Sequence, residues 1–263
     1  PSSTATADAP TDASPTNELE DALLAGTTEH YQDAALYDHE YRRRRDDVAW
    51  YRRLAREVAT AEGTPTLRIL ELGCGTGRLL VPLLRDGHTV WGVDRSRTML
   101  TRLKERLANA RLRTRTRTRA FIIQSDFRGL PLDGAQRFPL ITCPFNGFQQ
   151  LYSRADVERF LAEVRRLLIP GSGGLFAFDV TNPDPRWLAR DPEQRYSRTR
   201  FRHPSTGEPM IYSTSHLYDP ATQLCWMRIF YDPVPEAAAA QDLDGNPTKK
   251  NFSRRGPEGT SKS

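Results

Sequence analysis

Between residues 67 and 180, short apolar runs alternate with longer amphipathic stretches. Leu67–Leu72, His88–Val93, Ala120–Gln124, Pro139–Cys143 and Gly174–Val180 read as strands. Arg78–Arg85 reads as a helix closed by Gly87. Ser96 is placed to cap a second helix with Met99, Leu100, Leu103 and Leu107 on its apolar face. Ser153 and Asp156 have the spacing of a capping box, ahead of a third helix facing inward through Val157, Phe160, Leu161, Val164 and Leu168. Upstream, residues 29–62 are helical in pattern, with Val48, Tyr51, Leu54, Ala55 and Val58 recurring on one face until Gly63 and Pro65. Asn17 and Glu20 predict a short capped helix reaching Leu24. Downstream, Met210–Tyr218 and Gln223–Tyr231 are β-rich runs joined by Asp219–Thr222, the pattern of an antiparallel hairpin.

Strands separated by helices imply βαβ units, hence an α/β fold: a mainly parallel sheet with helices on both faces. The predicted organisation is a disordered lead over residues 1–16, a helical cap over 17–66, an α/β core over 67–181, a hairpin unit over 182–232 and a disordered tail over 233–263. Open sheets of this kind bind ligands beyond the carboxyl ends of their strands. Those ends carry Glu71, Asp94, Asp126, Cys143-Pro-Phe-Asn146 and Asp179.

Most of the chemistry is announced by Ile69–Arg78. An apolar run ends at Glu71, then glycine occupies every second position: Gly73, Gly75 and Gly77, with Cys74 and Thr76 between them. A strand, a glycine loop and a helix in that order bring backbone N–H groups up to a ligand. A dinucleotide loop, G-x-G-x-x-G, needs its third glycine where helix and strand pack closely. Counted from Gly73 and Gly75, that position is Arg78, so the loop is not of that type.

Composition narrows the class further. The chain has 263 residues, 38% of them hydrophobic, enough for one α/β domain with an extension. The formal charge of +5 permits acidic partners without demonstrating any. Three cysteines, Cys74, Cys143 and Cys225, share no metal spacing, so a reduced, cytoplasmic protein without metal or structural disulfides is expected. Pro1–Thr16 lacks the apolar stretch of a secretory signal, and no run reaches the ~20 residues of a membrane helix.

Glu71-Leu-Gly-Cys-Gly-Thr-Gly77 resembles the first motif of the class I S-adenosylmethionine-dependent methyltransferases, whose Rossmann-like sandwich matches the predicted core. The resemblance implies S-adenosylmethionine as cofactor, its amino-acid part above Gly73–Gly77. It implies that Asp94 takes the ribose hydroxyls, with Arg95 and Met99 following, and that Asp126-Phe127 borders the adenine, near Cys143. Within the family the chain is similar to small-molecule enzymes of the glycine/sarcosine and amino-sugar N-methyltransferase kind, on Tyr37-Asp38, Pro144–Leu151 and Phe178–Asp184. That likeness implies Tyr37 as a lid on the cofactor, the hairpin as a cover for a small-molecule substrate, and Asn146 and Asp179 as the residues facing the reaction. Where relatives often have histidine, this chain has Gln150. The acceptor atom, N or O, stays open.

Two basic stretches bear on partners. Arg42–Arg45 precedes Asp46-Asp47 and reads as a solvated helix face with internal pairing. Arg111–Arg119 alternates arginine with other residues but lacks interleaved aromatics, and Cys143–Asn146 is unlike the loop with which nucleic-acid methyltransferases hold a base, so nucleic acid is the weaker reading. Family sheets are expected in the order 3-2-1-4-5-7-6, and this chain shows no last strand pair. Either the hairpin substitutes for the last strands, a second copy completes the edge as a homodimer, or the C-terminal strands are missing and the domain is incomplete; the last case motivates a rival reading, a non-enzymatic or inactive S-adenosylmethionine binder.

Overall fold

The computed structural model describes residue 25 and residues 30–109, 119–171 and 173–234. The predicted helix after Asn17, nearly all of the alternating-arginine stretch, the lead and the tail beyond residue 234 lie outside the described residues.

The elements, in chain order, are α1 (Ala34–Tyr41), α2 (Asp46–Ala61), β1 (Arg68–Leu72), α3 (Leu80–Arg85), β2 (Thr89–Asp94), α4 (Arg97–Asn109), β3 (Ala120–Gln124), β4 (Leu140–Cys143), α5 (Arg154–Leu167), β5 (Leu175–Phe178), α6 (Pro185–Leu188), β6 (Tyr196–Arg202), β7 (Pro209–Asp219) and β8 (Leu224–Pro233). The first five strands form a parallel sheet in the order β3-β2-β1-β4-β5. The order reverses between β1 and β4, the switch point at which open sheets of this kind bind ligands.

The central strands β1 and β4 are buried on both faces, as in parallel sheets generally. Along β1, Ile69 joins a cluster with Tyr51, Ala55 and Val58 of α2, Leu80, Leu83 and Leu84 of α3, and Leu100 and Leu103 of α4. Leu70 and Leu72 point the other way, into a cluster with Phe160, Val164 and Leu167 of α5. Alternation along one strand thus sorts the helices into two layers.

Three local readings are corrected. The upstream helical segment is two helices, and Arg42–Arg45 is the exposed break between them, not a helix face. Arg45 precedes α2 without any side-chain cap, and Asp47 turns to Arg78 instead of to the neighbouring arginines. The Ser153 capping box is half formed: Ser153 Oγ accepts the Asp156 N–H at 3.2 Å, while the Asp156 carboxylate takes Arg128 and Arg159.

The remaining strands form a separate antiparallel sheet, β6-β7-β8. The hairpin is as predicted. Strand β6 was not legible, because Tyr-Ser-Arg-Thr-Arg-Phe-Arg has no apolar alternation, and its pairing with β7 slips between Tyr196 and Thr199, around Ser197 at φ 57°. No helix among the described residues is long and apolar enough to cross a membrane.

Candidate functional site

The carboxyl end of β1 runs directly into the glycine loop. Gly73, Gly75 and Gly77 all have positive φ, at 72°, 52° and 80°. Only glycine adopts that series without strain. The Gly73 and Cys74 N–H groups both donate to the Val93 carbonyl, at 2.8 and 2.9 Å, which staples the loop to β2. A Cβ on Gly73 or Gly75 would meet nothing within 4 Å, so this part of the loop faces open space. A Cβ on Gly77 would strike Leu103 Cδ1 at 2.3 Å. Gly77 therefore lets α4 close onto the loop. Gly92, which sequence reading passed over, does the same on β2: its Cβ would lie 2.5 Å from Leu80 Cδ1 and 2.9 Å from Cys74 Sγ.

Asp94 sits at the end of β2 and reaches back to the loop. Its Oδ2 accepts the Gly75 N–H and its Oδ1 the Ser96 N–H, both at 2.8 Å. Burial raises its carboxyl above the ordinary value, against the pull of those two amides. Each oxygen keeps a second lone pair, so the carboxylate can still accept two hydroxyls.

Beneath the loop lies Glu71, 1% exposed. Its Oε2 has no hydrogen-bond partner among the described residues. Burial pushes its carboxyl up to about 8; the Arg78 charge opposes this and Asp94 adds to it. Thr142, in register with Glu71 on β4, is also buried, and its Oγ1 is likewise unpartnered among the described residues. A buried polar group without a partner is costly, and here two such groups lie in register on adjacent strands. Sequence reading missed Thr142, because a threonine inside an apolar strand carries no signal of its own.

The N-terminal helices buttress the loop from the side. Thr76 Oγ1 donates to Asp38 Oδ1 at 2.6 Å. Asp38 also takes Arg102 Nε at 3.0 Å, and Arg106 Nη1 donates to the Thr76 carbonyl at 3.1 Å. Tyr37 packs edge-on against Tyr41, with centroids 4.8 Å apart, and against Tyr31 at 5.7 Å. Tyr31, half-buried, has its phenol pushed up to about 12, first by loss of water and then by the nearby Asp94 and Tyr152. Tyr31 therefore joins Tyr37 as an aromatic neighbour of the site, a role its sequence context did not reveal.

Past β4, Phe145 and Asn146 both have positive φ. Asp179, just beyond β5, accepts the Phe145 N–H at 2.8 Å and the Asn146 N–H at 3.2 Å. The side chain of Gln149 and the backbone of Thr181 exchange two hydrogen bonds, at 3.2 and 3.0 Å, and Thr181 Oγ1 donates to Asn146 Oδ1 at 3.1 Å. The loops after β4 and β5 are thus laced into one piece. Gln150 accepts the Tyr152 hydroxyl at 2.9 Å.

The residues read from the sequence separate into two sets. Glu71, Gly73, Gly75, Gly77 and Asp94 come together around the loop. Asp126 adjoins them through β3 but is gripped by Arg128, whose Nε and Nη2 donate at 3.0 and 2.7 Å. Burial alone would raise the Asp126 carboxyl; the guanidinium outweighs it and holds the group below its usual value. Arg95 is half-buried, its carbonyl accepting Gln124 Nε2 at 3.3 Å. Phe127 packs edge-on against Phe160 in the second core cluster. Met99 and Cys143, expected beside the cofactor, have buried side chains, and burial pushes the Cys143 thiol far up. Cys74 too is buried and contributes its backbone. A cavity of about 580 Å³ beside α1 and α4, lined by Gln32, Asp33, Arg97 and Thr101, includes no residue of the glycine loop.

A parallel sheet in the order 3-2-1-4-5, a glycine loop after its first strand and an acid after its second define a Rossmann-like class I methyltransferase fold. The family model described as a methyltransferase domain matches residues 69–171 of the chain.

Among curated proteins, a glycine/sarcosine N-methyltransferase of Halorhodospira halochloris is 30% identical over 176 residues, 66% of this chain and 59% of that protein. An uncharacterized methyltransferase of Geobacillus thermodenitrificans is 31% identical over 151 residues, 56% of this chain and 60% of its own length. The chain thus spans no more than about three fifths of the curated relatives it matches. Among solved structures, DesVI of Streptomyces venezuelae has a TM-score of 0.52 at 18% identity, covering 75% of this chain and 82% of that one. It shows the fold.

Proposed function

We propose that this chain is an S-adenosylmethionine-dependent methyltransferase acting on a nitrogen or oxygen of a small molecule. The observation that carries the reading is the unpartnered Glu71 Oε2 beneath a glycine loop whose upper side is open at Gly73 and Gly75. The open loop leaves room for backbone-close binding, the orphaned carboxyl suits a cationic group such as an α-ammonium, and Asp94 keeps lone pairs for a vicinal diol. The cofactor's chemical parts fit these three features, and Tyr31 and Tyr37 supply aromatic surface beside them. The relatives named as glycine/sarcosine N-methyltransferases support an amine as the acceptor.

Bound S-adenosylmethionine supplies a methyl group already activated by its sulfonium. The chain's own part is to hold the acceptor in line, exclude water and leave a route for the acceptor's proton. Asn146 belongs to this machinery: its Oδ1 takes Thr181, which leaves Nδ2 to donate. Asp179 is the second member, through the loop it grips. The reading includes a second copy along β5, whose Leu175 and Phe178 are exposed, with sedimentation velocity as its check.

The test is calorimetric titration with S-adenosylhomocysteine, then transfer of labelled methyl from S-adenosylmethionine to panels of small amines and alcohols. Micromolar binding and labelled product are expected. Binding without transfer to any acceptor supports the non-catalytic binder, and absence of binding overturns the assignment.

A further inference from the structure

Phe145 and Asn146 are consecutive non-glycine residues in the left-handed region, at φ 58° and 60°. A phenylalanine there is an outlier that its surroundings must hold in place. Asp179 provides the hold, with Oδ1 on the Phe145 N–H and Oδ2 on the Asn146 N–H. Behind it stands Tyr51 of α2, whose hydroxyl donates to Asp179 Oδ1 at 2.7 Å. Tyr51 is 1% exposed and fixed within the core cluster beneath the sheet.

We propose that Tyr51 is a positioning residue: through Asp179 it holds the Phe145–Asn146 peptide left-handed and so sets the Phe145 ring against the glycine loop. Filling the core asks only for a ring of this size, which phenylalanine also offers. The hydroxyl is needed for the carboxylate alone, since a third donor locks the plane in which Asp179 meets two amides. The Phe145 ring then lies under the Arg78 guanidinium, 4.4 Å from its centre, and edge-on to Tyr41 with centroids 4.8 Å apart. Arg78 follows Gly77 directly, so a shift of the peptide passes to the loop. With three donors on its two oxygens, Asp179 acts here by placing the backbone.

The proposal rests on the cofactor reading, and the experiment separates the two. S-adenosylhomocysteine is titrated into the full chain carrying Tyr51→Phe, Asn146→Gly or both. Tyr51→Phe is expected to fold and to weaken binding by roughly 3–10-fold, the effect of losing one hydrogen bond. Glycine adopts the left-handed conformation unaided, so with one of the two strained residues relieved the same substitution should cost less in the Asn146→Gly background than in the unaltered chain. Equal losses in both backgrounds, or no loss in either, overturn the proposal, because a packing role would be indifferent to residue 146. Should Tyr51→Phe fail to fold, Asp179→Asn, which converts one acceptor to a donor, provides the same comparison. If the unaltered chain does not bind the probe, the cofactor reading falls. Exchange of the Phe145 and Asn146 amides then decides the clamp: at least ~10-fold faster exchange in Tyr51→Phe supports it, and unchanged exchange refutes it.

Discussion

The Arg78 guanidinium meets both oxygens of the Asp47 carboxylate, at 2.8 and 2.5 Å, joining the residue after the glycine loop to the first turn of α2. Both side chains are largely shielded from water, and the pair is bidentate, the geometry in which an ion pair counts. Burial alone would raise the Asp47 carboxyl, but Arg78 outweighs it and the group is held below its ordinary value. A depressed carboxylate stabilises the fold above its unfolded value, and that contribution is lost as pH falls through the folded one. Asp47→Asn should therefore lower the melting temperature at pH 7 and should lose part of the acid sensitivity of the unaltered chain. A double-mutant cycle with Arg78→Gln should return a coupling of about 1–3 kcal/mol.

Glu71 predicts the opposite pH behaviour. Its carboxyl is raised by burial to about 8, so the folded chain keeps a proton that the unfolded chain has already released. Between about 4.5 and about 8, stability should fall as pH rises, by on the order of a few kcal/mol in all. Glu71→Gln should flatten that fall in melting curves taken across the range. If a ligand ammonium completes Glu71, binding near pH 7 should release close to one proton. The heat of binding would then depend on buffer ionisation enthalpy in the unaltered chain and not in the glutamine variant.

Two glycines of one loop should fail differently. A methyl at Gly77 meets Leu103 at 2.3 Å and must adopt a positive φ, so Gly77→Ala should destabilise the fold by about 2–4 kcal/mol. A methyl at Gly75 meets nothing, so Gly75→Ala should cost only about 1 kcal/mol of backbone strain. It would occupy ligand space, and titration should show at least ~10-fold weaker S-adenosylhomocysteine binding. Denaturant midpoints and titrations on the two variants check the contrast.

Asp94→Asn keeps one acceptor and turns the other into a donor facing the Gly75 N–H or the Ser96 N–H. Ligand affinity should fall by roughly 10–100-fold, because the carboxylate proposed to take the diol and its bond to the Gly75 N–H are both disturbed. A homologue of the ligand lacking the ribose hydroxyls should lose less from this substitution than S-adenosylhomocysteine does.

The alternating core was legible because each strand and helix declared its own period, and the loop because glycine every second residue after an acidic strand end is a dense local signal. Asp94 followed from its place at a strand end. What stayed hidden depends on contacts distant in sequence. Tyr51 looked like one more apolar-face residue of a helix, yet its hydroxyl meets Asp179, 128 positions away. Asp47 looked like a partner for neighbouring arginines until the fold brought Arg78 to it, and nothing local pointed Asp38 to Arg102 and Arg106. Thr142 gave no hint, because only its register beside Glu71 makes its hydroxyl meaningful. Strand β6 hid because its side chains are mostly exposed and need no apolar alternation.

The buttressing of the glycine loop sets a lower bound on the minimal working fragment. The methyltransferase domain match begins at residue 69, but Thr76 and Arg78 inside it lean on Asp38 and Asp47, both upstream, and Tyr51, also upstream, bonds Asp179, which in turn holds the Phe145 and Asn146 amides. A truncation drawn at the boundary of the match would keep every motif residue from Glu71 to Asp126 and discard the struts that hold their backbone in place. In this chain the recognisable motif and the cooperative unit that supports it are of different lengths.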